Sequence, residues 1–338
     1  MANGKVRLGI IGAGGIANGV HLPSLRAIEA VELVAVCDLI PERAAKAAEK
    51  FAIPRQYVVY QEMLQKESLD AVYVLTEPDR LFRPTVACLQ AGKHVFMEKP
   101  PGITLFQAEN LLLAARKAER ILMVGFNRRY IPLVRHVVQL MKDRTPITQV
   151  EGRFIKHDKV AFYGGSAGAF ECDIIHAIDA VRWLAGGEPA AAAMVEGQTE
   201  DVLPNRWNAV VRFDNGVTGL IRANYQTGGR VHGLEMHGPG GSAVINLGFG
   251  DASCSAELLL YAGKGTFSLS SAGPGKTERI SLDGKAVAGS DQFHVYYGFA
   301  AEDREFIDCV REGRRPLTDI EEGVKTMRFV DLLRKNRI

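Results

Sequence analysis

Over residues 5–125 short apolar runs alternate with stretches whose apolar residues recur at helical spacing. VRLGII, VELVAVCD, DAVYVLT, HVFME and ILMVGF read as strands, near-continuously apolar. Residues 22–29, PERAAKAAEKF, PTVACLQAG and TLFQAENLLLAARKAER read as helices. Pro41 sits near the first turn of one, Gly92 closes another, and Thr104 with Gln107 forms a capping box on the last. Strands without polar alternation, separated by helices, predict a parallel sheet covered on both faces.

Around residues 127–146 the rhythm changes. The helix LVRHVVQLMKD leads into ITQVEGRFIKHD, a longer run of alternating polarity. Strand-like segments follow: AAAAMVEGQT, RWNAVVRFDNGVTGLIRANYQ, LEMHGPGGSAVINL and AELLLYAG, punctuated by turns at Asn215-Gly216 and at residues 238–241. Two amphipathic helices, AAEDREFIDCVREG and IEEGVKTMRFVDLLRKN, close the chain. The predicted fold class is α/β: a doubly wound Rossmann domain over residues 1–125, then an α+β domain over residues 126–338. The second domain carries a large, mostly antiparallel open sheet.

Composition narrows the classes of function. The 338 residues are 47% hydrophobic and 24% charged, with a net charge of +2 that forms no basic stripe, so no nucleic-acid partner is expected. No apolar run reaches the about 18 residues a membrane span needs. The opening MANGKVRLGIIGAGG has no long apolar segment or small-residue cleavage pattern, so no signal peptide is expected. Five cysteines without a CxxC pair point to reduced thiols in a cytoplasmic protein, with no disulfide framework and no zinc knuckle; Cys172 and His176, four apart, lack a third and fourth ligand, so no metal is expected.

The first strand runs into Gly12-Ala13-Gly14-Gly15-Ile16-Ala17, a GxGxxA turn between strand and helix. Gly12 permits the tight turn, Gly14 lets backbone approach a pyrophosphate, and Ala17 allows close helix packing. The second strand ends in Asp38, about 20 residues on, where a carboxylate accepts bonds from ribose hydroxyls. That carboxylate repels a 2′-phosphate and favours NAD, with NADP kept open by Arg43 nearby; helix capping is the structural alternative for Asp38. Gly12, Gly14, Gly15, Ile16 and Asp38 are candidate cofactor-binding residues on this reading, and Thr76, Glu98 and Lys99 are counted with them.

HVFMEKPPGIT carries a core strand into Glu98-Lys99-Pro100-Pro101. In a doubly wound sheet ligands bind beyond the carboxyl ends of the strands, which aims Lys99 at the nicotinamide site. Pro100 pushes Lys99 out of helical backbone geometry, and a cis Lys99–Pro100 bond is a further expectation. Glu98 reads as an anchoring group. Later, GGSAGAFECDIIHAIDAVRWLAGG reads as a glycine-rich entry to a helix. At about 100° per residue, Cys172, Asp173, His176 and Asp179 fall within roughly a 120° arc. An imidazole flanked by carboxylates suits general acid–base chemistry; a core histidine and an Asp179–Arg182 pair are the structural alternatives.

The segments GIIGAGGIA, VAVCD, AGKHVFMEKPPGIT, VGFNRRY, HAIDAVRWLAG, RFDNGVTGLI and EFIDCVREGRRPLTDIEEG resemble the Gfo/Idh/MocA oxidoreductases over nearly the whole chain. The resemblance implies NAD(P)-dependent hydride transfer at a carbinol or carbonyl carbon of a sugar, cyclitol or related polyol. Lys99 then bonds the reacting oxygen and His176 exchanges the proton, with Asp173 as the third catalytic candidate. Candidate substrate-binding residues are Lys99, Asn127, Arg128, Tyr163, Asp173 and His176, with Arg129, Tyr130, Lys156 and His157 as further polar donors. The resemblance also implies a homodimer or homotetramer joined through the C-terminal sheet.

Two departures stand out. Many relatives carry an aspartate four residues before the histidine; here that place is Cys172, and Asp173 lies three before. Their T-P-N-x-x-H motif reads TEPDRLF here, with Thr76 kept, proline at Pro78 and Leu81 in the histidine place. Two other functions compete: a non-catalytic NAD(P) sensor on this fold, and a dihydrodiol- or tetrapyrrole-type reductase with an apolar pocket around Phe162 and Tyr163.

Overall fold

The computed structural model describes residues 4–162, 167–201, 203–248, 253–261 and 277–338, with Phe162 described by its backbone alone. These residues fall into two compact units. The first comprises residues 1–130, 161–172 and 292–328, and the second residues 131–160, 173–291 and 329–338.

In the first unit, strands β1 (Val6–Ile11), β2 (Val31–Cys37), β3 (Arg55–Tyr57), β4 (Ala71–Val74), β5 (His94–Met97) and β6 (Leu122–Val124) form a six-stranded sheet. Its order is β3-β2-β1-β4-β5-β6 and every pairing is parallel. Every residue of β4 is buried, as the apolar runs require when helices cover both faces. The helix Pro41–Phe51 begins where Pro41 presets helical φ, and it ends at Ala52 in the left-handed region. Thr104 caps the helix Leu105–Ala118 by accepting the Gln107 N–H at 3.2 Å. The Gln107 side chain accepts in turn from the Ile103 N–H, at 2.8 Å, one residue ahead of the expected partner.

Two elements escaped the periodicity, and one expected helix packs where the sequence did not place it. β3 is a three-residue edge strand, Arg-Gln-Tyr, with two exposed side chains and no apolar pattern. The helix Tyr60–Lys66 buries only Met63. The helix Phe299–Glu312, far along the chain, sends Phe306, Ile307 and Val310 into the same core as Ile10, Tyr73 and Phe96. Tyr73 and Phe96 stack at 4.6 Å between ring centroids, and Phe306 meets both edge-on. Burial of each such ring contributes about 1.5–3 kcal/mol. That contact draws a C-terminal segment into the N-terminal sheet's core, so the unit is not one continuous stretch of chain.

The second unit contains β7 (Gln149–His157); the short pair β8 (Ala161–Phe162) and β9 (Ala167–Gly168) belongs to the first. Then come β10 (Pro189–Gly197), β11 (Arg206–Phe213), β12 (Thr218–Asn224), β13 (Gln226–Gly238), β14 (Gly241–Asn246), β15 (Ser255–Tyr261) and β16 (Thr277–Asp283). The eight-stranded order is β10-β11-β12-β7-β13-β14-β15-β16. Only the β12–β7 pairing is parallel. Gly216 and Gly240, both at positive φ, make the two expected turns. β11 alternates exposed and buried residues along its whole length, the mark of a sheet with one covered face. The helix Ile175–Ala185 lies against β7 and β12 on that face. Gly152 allows the approach, because a Cβ there would stand 2.9 Å from Val181 Cγ2.

Candidate active site

β1 delivers the glycine loop at the carboxyl edge of the first sheet. Gly12 has φ +98°, and a Cβ there would lie 2.7 Å from the Leu75 carbonyl oxygen, so glycine is required twice over. Around Gly14 and Gly15 a Cβ would meet nothing within 4 Å. The loop is thus pinned at one end and open where backbone would face a phosphate. Residues 15–26 continue as one helical run that includes the π turn Ala17–His21, where the sequence predicts helix only from residue 22. Asn18 closes the loop: its side-chain amide donates to the carbonyls of Ala13 at 2.7 Å and Gly14 at 2.9 Å. Ile16 is at the surface.

Asp38 holds the other side of the cradle. One carboxylate oxygen accepts the Ala13 N–H and the other accepts the Ile40 N–H, each at 2.8 Å. It does not cap the following helix, whose N-cap is Ile40. Thr76, just beyond β4, has a buried hydroxyl oxygen with no partner among the described residues. An open glycine cradle, a fixed acidic end to the second strand and an unsatisfied buried hydroxyl fit a dinucleotide. Gly14, Gly15, Asp38 and Thr76 would hold it.

Glu98 and Lys99 follow β5 at the same edge, and the Lys99–Pro100 bond is cis as expected. Lys99 Nζ donates to the Cys172 carbonyl at 2.6 Å. Glu98 is buried and accepts the Lys99 N–H at 3.1 Å, the anchoring role expected of it. Cys172 lies in a π turn, Phe170–Ile174, that precedes the helix Ile175–Ala185. Helical spacing of 100° per residue therefore does not carry through residues 170–174, and the arc drawn from the sequence is not the one realised.

Within the second unit His176 is buried on the first turn of Ile175–Ala185. Asp173, ahead of it, is gripped by two groups. Lys156 Nζ stands 2.9 Å from its carboxylate, and the Tyr225 hydroxyl donates to the same oxygen. Lys156 has the same parity along β7 as Val150, Gly152 and Phe154, so it points to the covered face. Its ammonium also lies 4.7 Å from the Tyr225 ring centroid and 2.8 Å from Asp158. Burial pushes the Tyr225 phenol well above its ordinary range, with Asp173 adding to the rise. An open pocket of about 400 Å³ lies beside Lys156, lined also by His157, Asp158, Arg230 and the backbone of Gly228 and Gly229.

The remaining candidates are placed as follows. Asn127 and Arg128 are buried: Asn127 donates to the Tyr297 carbonyl at 3.0 Å, and Arg128 lies 4.7 Å above the Tyr297 ring. Arg129 pairs with Glu322 at 3.0 Å, and Tyr130 meets Thr318. Arg182 pairs with Glu188, 2.8 Å away. Leu81, in the place of the family histidine, is fully buried. Tyr163 lies outside the described residues. Sequence reasoning missed Asn18, His21 and Tyr225, and for Tyr225 the sequence holds no signal, because only the pairing of β12 with β7 brings it to Lys156.

The fold and the loop define a dinucleotide-binding class of protein. Residues 6–126 match the family described as an oxidoreductase family with an NAD-binding Rossmann fold, and residues 153–244 match the GFO/IDH/MocA C-terminal domain. The chain belongs to the Gfo/Idh/MocA oxidoreductases. It is 27% identical to myo-inositol 2-dehydrogenase of Thermotoga maritima over 64% of this chain and 67% of that protein. It is 30% identical to inositol 2-dehydrogenase of Salmonella typhimurium, over 53% of this chain and 54% of that protein, about half of the relative's length. The solved structure of UDP-N-acetylglucosamine 3-dehydrogenase from Acidithiobacillus ferrooxidans superimposes with a TM-score of 0.82. At 20% identity over 98% of this chain and 97% of that one, it shows the shared fold. Among the described residues no helix is long and apolar enough to cross a membrane.

Proposed function

We propose that the protein is an NAD-dependent dehydrogenase or reductase acting at a carbinol or carbonyl carbon of a sugar, cyclitol or related polyol. The observation that carries this reading is the position of Lys99. Its strand end lies at the sheet edge that also bears the glycine loop and Thr76, and its ammonium is held by a main-chain carbonyl. NAD, when bound, supplies the hydride acceptor or donor. Lys99 donates a hydrogen bond to the reacting oxygen and stabilises its developing negative charge. His176 takes the hydroxyl proton on oxidation and returns it on reduction. Asp173, held by Lys156 and Tyr225, fixes the entry to the His176 helix. The hydroxyl-rich substrate class is supported by the polar lining around Lys156 and by the names of the relatives.

The experiment is turnover of inositols, hexoses, pentoses and their keto derivatives with NAD and with NADP, followed by reduced-nicotinamide absorbance. Turnover with NAD preferred over NADP is expected, because the Asp38 carboxylate opposes a 2′-phosphate. NADH binding without consumption by any member of the panel would move the protein to the sensor reading.

Assembly belongs to the same proposal. The outer face of the second sheet exposes Val195, Val210, Val231 and Val244 among the charged pairs Arg222–Glu151 and Arg153–Glu235. Apolar side chains framed by salt bridges suit a second copy of the chain. Sedimentation at micromolar concentration is expected to give a dimer or tetramer, and a monomer would refute it.

A further inference from the structure

The π turn that follows the glycine loop ends in a histidine that neither the cofactor nor the substrate reading uses. His21 is fully buried, with Nδ1 2.9 Å from Asp303 Oδ1 and Nε2 3.2 Å from Glu98 Oε1. The rings of Tyr73, Phe96 and Phe299 enclose it at 5.8, 5.1 and 5.6 Å. An imidazole with a carboxylate oxygen at each nitrogen donates from both, which is the charged form. Burial alone would strip that charge. Asp303 and Glu98 outweigh it and raise His21 to about 10. Burial would also raise Glu98, but the His21 contact, with Lys99 beyond it, holds that carboxyl below its usual range.

The second oxygen of Glu98 accepts the Lys99 N–H. Contacts therefore run unbroken from Asp303 through His21 and Glu98 to the backbone of Lys99. We propose that His21 is a positioning residue for Lys99: clamped by Asp303, it fixes the Glu98 carboxylate, which fixes the end of β5 from which the lysine projects. The proposal rests on the reading of Lys99 given above, and it assigns His21 no contact with substrate or cofactor.

Among the described residues the His21 imidazolium is the cation in direct contact with the Glu98 carboxylate, with the Lys99 charge acting from further off. Glu302, on the same helix as Asp303, is fully buried, and neither of its carboxyl oxygens has a partner among the described residues. Burial, followed by the nearby Glu98 charge, pushes the Glu302 carboxyl well above its ordinary range, so it offers the cluster no counter-charge to the imidazolium's hold on Glu98. Arg128, from the turn Asn127–Tyr130, is near Glu302 but is spent on Asn127, at 2.6 Å, and on the Tyr297 ring. Without His21, Glu98 would be a buried carboxylate whose side chain has lost its charged partner. It would protonate or turn away, and the Lys99 N–H would lose a fixed acceptor.

The test compares His21→Gln, which keeps hydrogen-bonding capacity and loses the charge, with Asp303→Asn, which keeps the shape around Nδ1. Acetylation by limiting acetic anhydride, read lysine by lysine by mass spectrometry, needs no substrate. Lys99 is expected to react at least about tenfold faster in His21→Gln, and less markedly so in Asp303→Asn, as the strand end opens locally. The exposed Lys66 and Lys117 should be unchanged. On a compound the panel shows to be turned over, His21→Gln should lower kcat about 10- to 100-fold with KM little altered, and the loss should vanish in a Lys99→Met background. Unchanged Lys99 labelling in both variants, faster labelling of all lysines together, or a kcat penalty that persists without Lys99 would each overturn the proposal. If no compound is turned over, the functional reading falls and the labelling still decides the role of His21.

Discussion

Lys99→Met is expected to lower turnover by about 10²–10⁴-fold while leaving NADH affinity within about threefold. Methionine matches the length of the lysine stem, so what is lost is the ammonium. Glu98 keeps its bond to His21 and its acceptor for the residue-99 N–H, both independent of the side chain at position 99. The strand end should therefore persist, and the melting temperature should move little. Steady-state kinetics on a turned-over sugar or cyclitol, beside a fluorescence titration with NADH, separates the two effects. Full turnover in the variant would remove Lys99 from the chemistry, and a large loss of NADH binding would reassign it to the cofactor.

The second large effect divides two glycines of one loop. Gly12→Ala places a Cβ 2.7 Å from one main-chain atom of Leu75 and 2.8 Å from another, at a φ that L residues avoid. A loss of about 2–4 kcal/mol is expected, or about 5–15 °C in melting temperature. At Gly14 a Cβ would meet no neighbour within 4 Å and there is no positive φ to satisfy, so Gly14→Val enters open space. Its stability should stay within about 0.5 kcal/mol, while NAD affinity falls at least about 100-fold, near 2.8 kcal/mol. Calorimetry and binding titration on the same samples read both. A Gly14→Val protein that binds NAD normally would show that the pyrophosphate does not cross that residue.

The parallel, doubly wound sheet was legible because β1, β2, β4 and β5 are apolar runs separated by helices with clear start and stop residues, such as Pro41 and Thr104. The hairpin at Asn215-Gly216 was legible from its turn. β3 was not, because a three-residue edge strand of Arg, Gln and Tyr has no periodicity to detect. Gly12, Asp38 and Lys99 announced themselves by spacing, each at the end of a readable strand. Nothing local could announce the His21–Asp303 pair, whose members are 282 residues apart in the chain. Tyr225 likewise acquires its place beside Asp173 only through the parallel register that sets Asn224 against Ile155.

The two π turns bear on how this chain is compared with others. Residues 17–21 and 170–174 each close hydrogen bonds one residue longer than an α-turn, as if a single residue had been added to the helix. Across such an insertion, counting residues no longer measures angle. Asp173, three places before His176, falls inside one of these turns. Counting positions back from His176 therefore misjudges which side of the helix Asp173 takes. Deleting one residue from 17–21 would restore regular winding and swing His21 about 100° around the axis, off both of its carboxylates, with every side chain of the clamp still present in the sequence.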